Sequence, residues 1–173
     1  MRKFLVVLCC WYAAAAFGLT SGEMDAGIAS QTELPVEKVK STLDAYEAKL
    51  KAEAAAGRAV KMEGFGTMMP RSVQGTRTGR TISGGTVTYQ NWKLVKNPEV
   101  VSDTTLYAPE DEAIISRYKA NTKSVINKGG LFSSRGFGTF KLTKLKATKT
   151  KPARYTTAFN SGKTGAHQKF VQE

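Results

Sequence analysis

The chain has 173 residues, 41% of them hydrophobic, and carries 26 Lys and Arg against 14 Asp and Glu for a formal net charge of +12. That apolar content supports a packed core and excludes a wholly disordered chain. A balance this basic points to polyanionic partners, meaning nucleic acid or an anionic membrane surface.

In chain order, residues 1–16 read as a leader. Arg2 and Lys3 form a short positive end, Phe4–Tyr12 is apolar, and Ala13–Ala16 supplies small residues for cleavage near Ala15 or Ala16. The apolar run is too short to span a bilayer comfortably. Cys9 and Cys10 are expected to leave with it, so the mature chain has no cysteine for disulfides, metal ligation or thiol chemistry.

Residues 17–97 then read as one unit. Glu23–Glu33 is compatible with a short helix, which Leu34-Pro35 ends. Val36, Val39, Leu43, Tyr46 and Leu50 recur at three- and four-residue steps and mark the apolar face of a second helix. Gly57 is its stop. Ala59–Met62 reads as a strand, and Gly64-Phe65-Gly66 as a tight reversal into a second strand over Met68–Val73.

Residues 98–173 form a second, more basic unit. Its opening helix is poor: Val100–Leu106 is the only candidate, hemmed in by Pro98 and Pro109. A longer helix is predicted from about Glu110 to Asn127, with Gly129-Gly130 as its stop. Strands follow around Leu131–Ser134 and Thr139–Leu145.

The charge divides unevenly between these parts. Residues 1–112 hold 13 basic and 13 acidic residues, whereas from Ala113 onward there are 13 basic residues and one acid, Glu173. The chain also repeats itself. Gly64-Phe65-Gly66-Thr67 recurs as Gly136-Phe137-Gly138-Thr139, and the same register pairs Leu43 with Ile115, Tyr46 with Tyr118, Gly57 with Gly129, Val60 with Phe132 and Met68 with Phe140.

The first unit, from Met24 to Met68, resembles the HU/IHF family of bacterial nucleoid proteins. The resemblance rests on Leu43-Asp44-Ala45-Tyr46, Gly57, Val60-Lys61-Met62 and Gly64-Phe65-Gly66-Thr67. The second unit matches from about Ile115 to Phe140, and Ala158-Phe159-x-x-Gly162-Lys163 is similar to the segment that opens the family's last helix. The resemblance implies an α+β fold with a helical base and two β-ribbon arms. Two units in one chain then imply an intramolecular pseudodimer, with Phe65 and Phe137 buried against each other and further self-association left open. Tethering would replace a bimolecular association by an intramolecular one.

The implied partner is double-stranded DNA, bound, bent and compacted with little sequence preference through basic arms in the minor groove. The first arm would run from about Arg71 to Tyr89. Arg77-Thr78-Gly79-Arg80 stands at the family's basic tip motif, with Ile82 in place of the wedge proline. The second arm would hold Lys141, Lys144, Lys146, Lys149, Lys151, Pro152 and Arg154, with a returning strand that looks truncated. Ile82 and Pro152 are the wedge candidates, although Pro152 also reads as a residue that bends a loop. Lys93, Lys163 and Lys169 are expected on the flanks of the body.

Other readings of the same residues stay open. Lys141–Lys151 also fits a solvated edge strand guarded by lysines. Tyr89 and Trp92 could stack on bases or belong to the core. Asn160-Ser161-Gly162-Lys163-Thr164 lacks the earlier glycine of a phosphate loop. His167 stands without metal-ligating neighbours, so no metal, cofactor, small-molecule substrate or enzymatic activity is expected. A structural or protein-interaction scaffold that keeps the fold without bending DNA is the alternative function. A nucleoid protein behind a secretory leader fits a plastid-type organelle reached through the endomembrane system, with export from the cell as the alternative.

Overall fold

The computed structural model describes residues 18–134, 137–150, 152, 154–160 and 168–172; the predicted leader, Lys151, Lys163 and His167 lie outside them. Thr20 ends strand β1 (Leu19–Thr20) and caps helix α1 (Ser21–Thr32). Its side chain accepts from the Glu23 amide at 3.4 Å while Glu23 Oε2 accepts from the Thr20 amide at 2.8 Å, a reciprocal cap that fixes the helix start. After Leu34-Pro35, helix α2 (Val36–Ala55) buries Val39, Leu43, Tyr46, Leu50 and Ala54 on one face. It stops before Gly57, whose φ of +79° suits a residue without a side chain.

Strand β2 (Ala59–Met62) turns through Gly64 into the long strand β3 (Gly66–Arg80), which returns as β4 (Thr86–Leu94). In the second half, β5 (Val100–Ser102) leads through 3-10 turns at Asp103–Thr105 and Pro109–Asp111 to helix α3 (Glu112–Asn127). Strands β6 (Leu131–Ser134), β7 (Gly138–Leu145), β8 (Arg154–Asn160) and β9 (Gln168–Gln172) complete the described chain. The class is α+β, with three helices and two mixed sheets among the described residues.

Each sheet is completed by strands from the other half. β1 lies parallel to β6, with Leu19 opposite Phe132, and β5 lies parallel to β2, with Val60 opposite Val101. β9 crosses back to pair with the root of β3, Gly66 opposite Gln172 through Pro70 opposite Gln168. The sheet orders are therefore β1-β6-β7-β8 and β4-β3-β2-β5, with β9 on the free side of β3.

One core serves both halves. Tyr46 and Tyr118 meet edge-on with ring centroids 6.2 Å apart. Phe140 touches Phe65 at 5.4 Å, Phe137 at 6.2 Å and Phe170 at 5.5 Å. Polar cross-links add to this. The Tyr118 hydroxyl and Ser134 hydroxyl donate to Glu47 at 2.9 and 2.6 Å, and buried Asp103 accepts from Tyr46 at 2.9 Å and from Lys119 Nζ at 2.7 Å.

Three sequence expectations are corrected. Val100–Leu106 is a short strand and a 3-10 turn rather than a helix, because β2 offers Val100–Ser102 an edge to pair with and Asp103 is drawn into the core. Where a last helix is implied, Gln168–Gln172 is a strand, and Phe170 is buried against Phe65 and Phe140. Phe65 and Phe137 are both buried, but through their shared neighbour Phe140.

Candidate nucleic-acid interface

The β3–β4 ribbon projects from the body. Beyond Pro70, the last residue paired with β9, ten residues of β3 (71–80) pair only with β4. At a strand rise of about 3.3 Å per residue this ribbon is about 33 Å long. Its tip is a defined turn: the Thr81 amide donates to the Gly85 carbonyl at 2.7 Å, and the Gly84 amide to the Thr81 carbonyl at 3.0 Å. Gly84 takes φ +84°, which closes the turn without side-chain strain. At the apex Ile82 is 110% exposed, so none of its apolar surface is covered by the chain itself.

A β-bulge sorts the ribbon's cations onto two faces. Val73 faces Trp92 and Thr76 faces Gln90, so three steps on β3 match two on β4, with the extra residue at Gln74-Gly75. Facing residues of an antiparallel pair share a side and alternate along the strand. Arg71 (opposite Leu94) and Arg80 (opposite Thr86) therefore share the face of Trp92, while Arg77 (opposite Tyr89) and Lys93 (opposite Ser72) share the other. Without the bulge, Arg71 and Arg80, nine positions apart, would point to opposite sides.

Electrostatically the ribbon differs from the body. From Gly64 to Pro98 there is no acidic residue and there are five cations, Arg71, Arg77, Arg80, Lys93 and Lys96. None of the five makes an ion pair among the described residues, whereas in the body Lys38 pairs with Asp111, Arg58 with Glu53 and Lys119 with Asp103. The even charge of residues 1–112 hid this segregation; counting over the predicted ribbon alone exposes it. Tyr89 lies outside the core. It is 53% exposed, and its ring lies over Gly79, where a Cβ would stand 2.8 Å from Tyr89 Cε2. Trp92 is half-buried.

The remaining candidates collect elsewhere. Lys141 is exposed on β7, and the backbones of Lys144 and Arg154 pair with those of Tyr155 and Leu145. Lys146, Lys149 and Pro152 are exposed in the β7–β8 connection. Lys169 lies on β9 opposite Met69, beside the root of the long ribbon. Lys151 and Lys163 fall outside the described residues. The structure thus groups Arg71, Arg77, Arg80, Ile82 and Lys93 on one ribbon, with Lys169 at its root, and places the second basic set on the other sheet.

The body also contains a cavity of about 340 Å³ between α1, α2 and β6, lined by Asp25, Asp44, Glu47, Lys40 and the apolar Met24 and Phe132. Burial raises the Asp25 carboxyl above its ordinary range, reinforced by Asp44 and opposed by Lys40. Burial likewise pushes Glu47 up to about 7, against the hydrogen bonds from Ser134 and Tyr118. Among the described residues no group of three or more His, Cys, Asp or Glu side chains is placed to hold a metal ion, and no helix is long and apolar enough to cross a membrane. Comparison with protein-family models and with curated proteins finds no match to this chain.

Proposed function

We propose that the protein is an architectural binder of double-stranded DNA with an HU/IHF-like fold, in which the two repeats form an intramolecular pseudodimer. The observation that carries this reading is the long ribbon with cations along both faces, unpaired among the described residues, and a fully solvated isoleucine at its apex. A two-sided strip of cations suits a groove with phosphates on each wall. An apolar tip suits insertion between base steps, which unstacks and kinks the duplex. Strand exchange between the repeats and their shared core support the pseudodimer.

In this mechanism Arg71, Arg77, Arg80, Lys93 and Lys169 displace condensed counterions from phosphates, and affinity follows salt. Ile82 enters the minor groove at a deformable step, so selectivity comes from the ease of bending rather than from base edges. The β7–β8 lysines hold neighbouring phosphates.

The test is a salt titration of the full chain on a short duplex, intact and nicked, with heparin as competitor. Binding should weaken steeply with salt, and Arg77→Ala with Arg80→Ala should lower the slope of log affinity against log salt by about 2. The nicked duplex should bind more tightly. Binding that ignores the nick and is abolished equally by heparin on both duplexes would sink the bending role and favour the scaffold.

A further inference from the structure

The two ribbons are unequal, and the inequality has a consequence for the DNA. The first extends ten residues beyond its last body pairing and ends in a hydrogen-bonded turn with Ile82 at its apex. The second emerges from the body where its pairing with β6 stops, Leu131 opposite Lys141, and its own pairing stops at Leu145 opposite Arg154. Four residues at about 3.3 Å each give about 13 Å of free ribbon. The depths of the major and minor grooves sum to about 16 Å. The first ribbon is long enough to pass around a duplex and present its tip to the minor groove; the paired part of the second is shorter than that and suits a phosphate backbone lying on the body.

The two tips also differ in chemistry. Ile82 sits second in a five-residue turn, 81–85, held by three hydrogen bonds from Thr81 and Gly84. Pro152 lies in the connection 146–153, outside the paired strands and two positions before β8. Lys146 and Lys149 are exposed in the same connection. One end of the molecule is therefore a wedge, and the other a phosphate clamp.

The geometry points to a single-kink protein: each chain opens one base step with Ile82 and grips the DNA on the far side by charge alone, so its substrate is duplex with one flexible point, such as a nick or a short gap. This inference rests on the proposed DNA-binding role. It sets the number of kinks per chain at one, although the chain contains two repeats.

The experiment uses the full chain on three duplexes: intact, with one nick, and with two nicks about 10 bp apart, one helical turn. Affinity, stoichiometry and end-to-end distance by energy transfer are measured on each. One nick should tighten binding about tenfold, because it removes the cost of opening a stacked step. The second nick should leave the one-to-one complex within about twofold, or recruit a second chain. Ile82→Ala should lose the bend, and Pro152→Ala should keep it. Two nicks that each tighten a one-to-one complex by about tenfold, or a Pro152→Ala variant that unbends DNA as far as Ile82→Ala does, would overturn the single kink while leaving DNA binding intact. Absence of salt-sensitive binding to all three duplexes would overturn the DNA-binding role itself.

Discussion

Glu47 and Lys119 stand 72 positions apart, at matching places on α2 and α3, and both are buried. The repeat has thus placed opposite charges at equivalent positions, and each is answered differently. Lys119 has the carboxylate of Asp103, at 2.7 Å. Glu47 accepts from the Ser134 and Tyr118 hydroxyls, and burial outweighs these bonds and the charge of Lys51, raising it to about 7 from 4.5. A carboxyl raised on folding stabilises fully below its unfolded value, and that contribution is lost as pH climbs through 7. Glu47→Gln keeps an acceptor for Tyr118 and Ser134 while removing the titration. It should leave stability near pH 4 almost unchanged and raise it at pH 8 by up to about 3 kcal/mol. Thermal unfolding of both proteins at the two pH values checks this, and an equal change at both would show that the charge is not the cause. Nothing in the sequence marked Glu47 as buried, because it adjoins Tyr46 on a helix whose Glu37 and Asp44 are exposed; Ser134, which completes its site, is 87 positions away.

Elements with local causes were readable from their residues. The period of Val39, Leu43, Tyr46 and Leu50 and the stops at Gly57 and Gly129 located both long helices, and the glycine-phenylalanine turns located the hairpins. β9 was not readable, since its partner β3 lies about a hundred positions earlier and no local pattern records that pairing. The ribbon's face pattern was hidden for a different reason: one extra residue at the bulge inverts every alternation beyond it. Inserting one alanine between Gln90 and Asn91, opposite the bulge, should straighten the register and set Arg77 and Arg80 on faces opposite to their present ones relative to Arg71. DNA affinity should then fall about tenfold, with the melting temperature of the body unchanged; affinity equal to the parent would mean that the faces do not matter. Gly138 makes a sharper test of the second sheet. A Cβ there would meet the Asn160 carbonyl oxygen at 2.5 Å and the Phe159 ring at 2.4 Å, on a backbone with φ +156°. Gly138→Ala should destabilise by about 3 kcal/mol, combining overpacking and backbone strain, as read by denaturant unfolding; a change under about 1 kcal/mol would refute the close approach of β8.

At the scale of the molecule, neither repeat owns a complete sheet. β1 serves the second half, β5 serves β2 from across the repeat boundary, and β9 serves β3. Cutting the chain between Asn97 and Pro98 should therefore give two pieces that each lack a cooperative unfolding transition alone and regain one when mixed in equal amounts. Circular dichroism of the pieces and of the mixture decides the matter; a piece that unfolds cooperatively alone would show that the halves are separate domains.

The placement of β9 also orders events during synthesis. Until Gln168–Gln172 has been made, the root of β3 from Gly66 to Pro70 presents an open sheet edge beside Met68 and the ring of Phe65, both of which end up buried. An open edge with apolar neighbours is a template for pairing with other chains. Nascent protein is thus most vulnerable to mispairing while its second half is still on the ribosome, and the same five-residue strand that ends this exposure also fixes the base of the long ribbon.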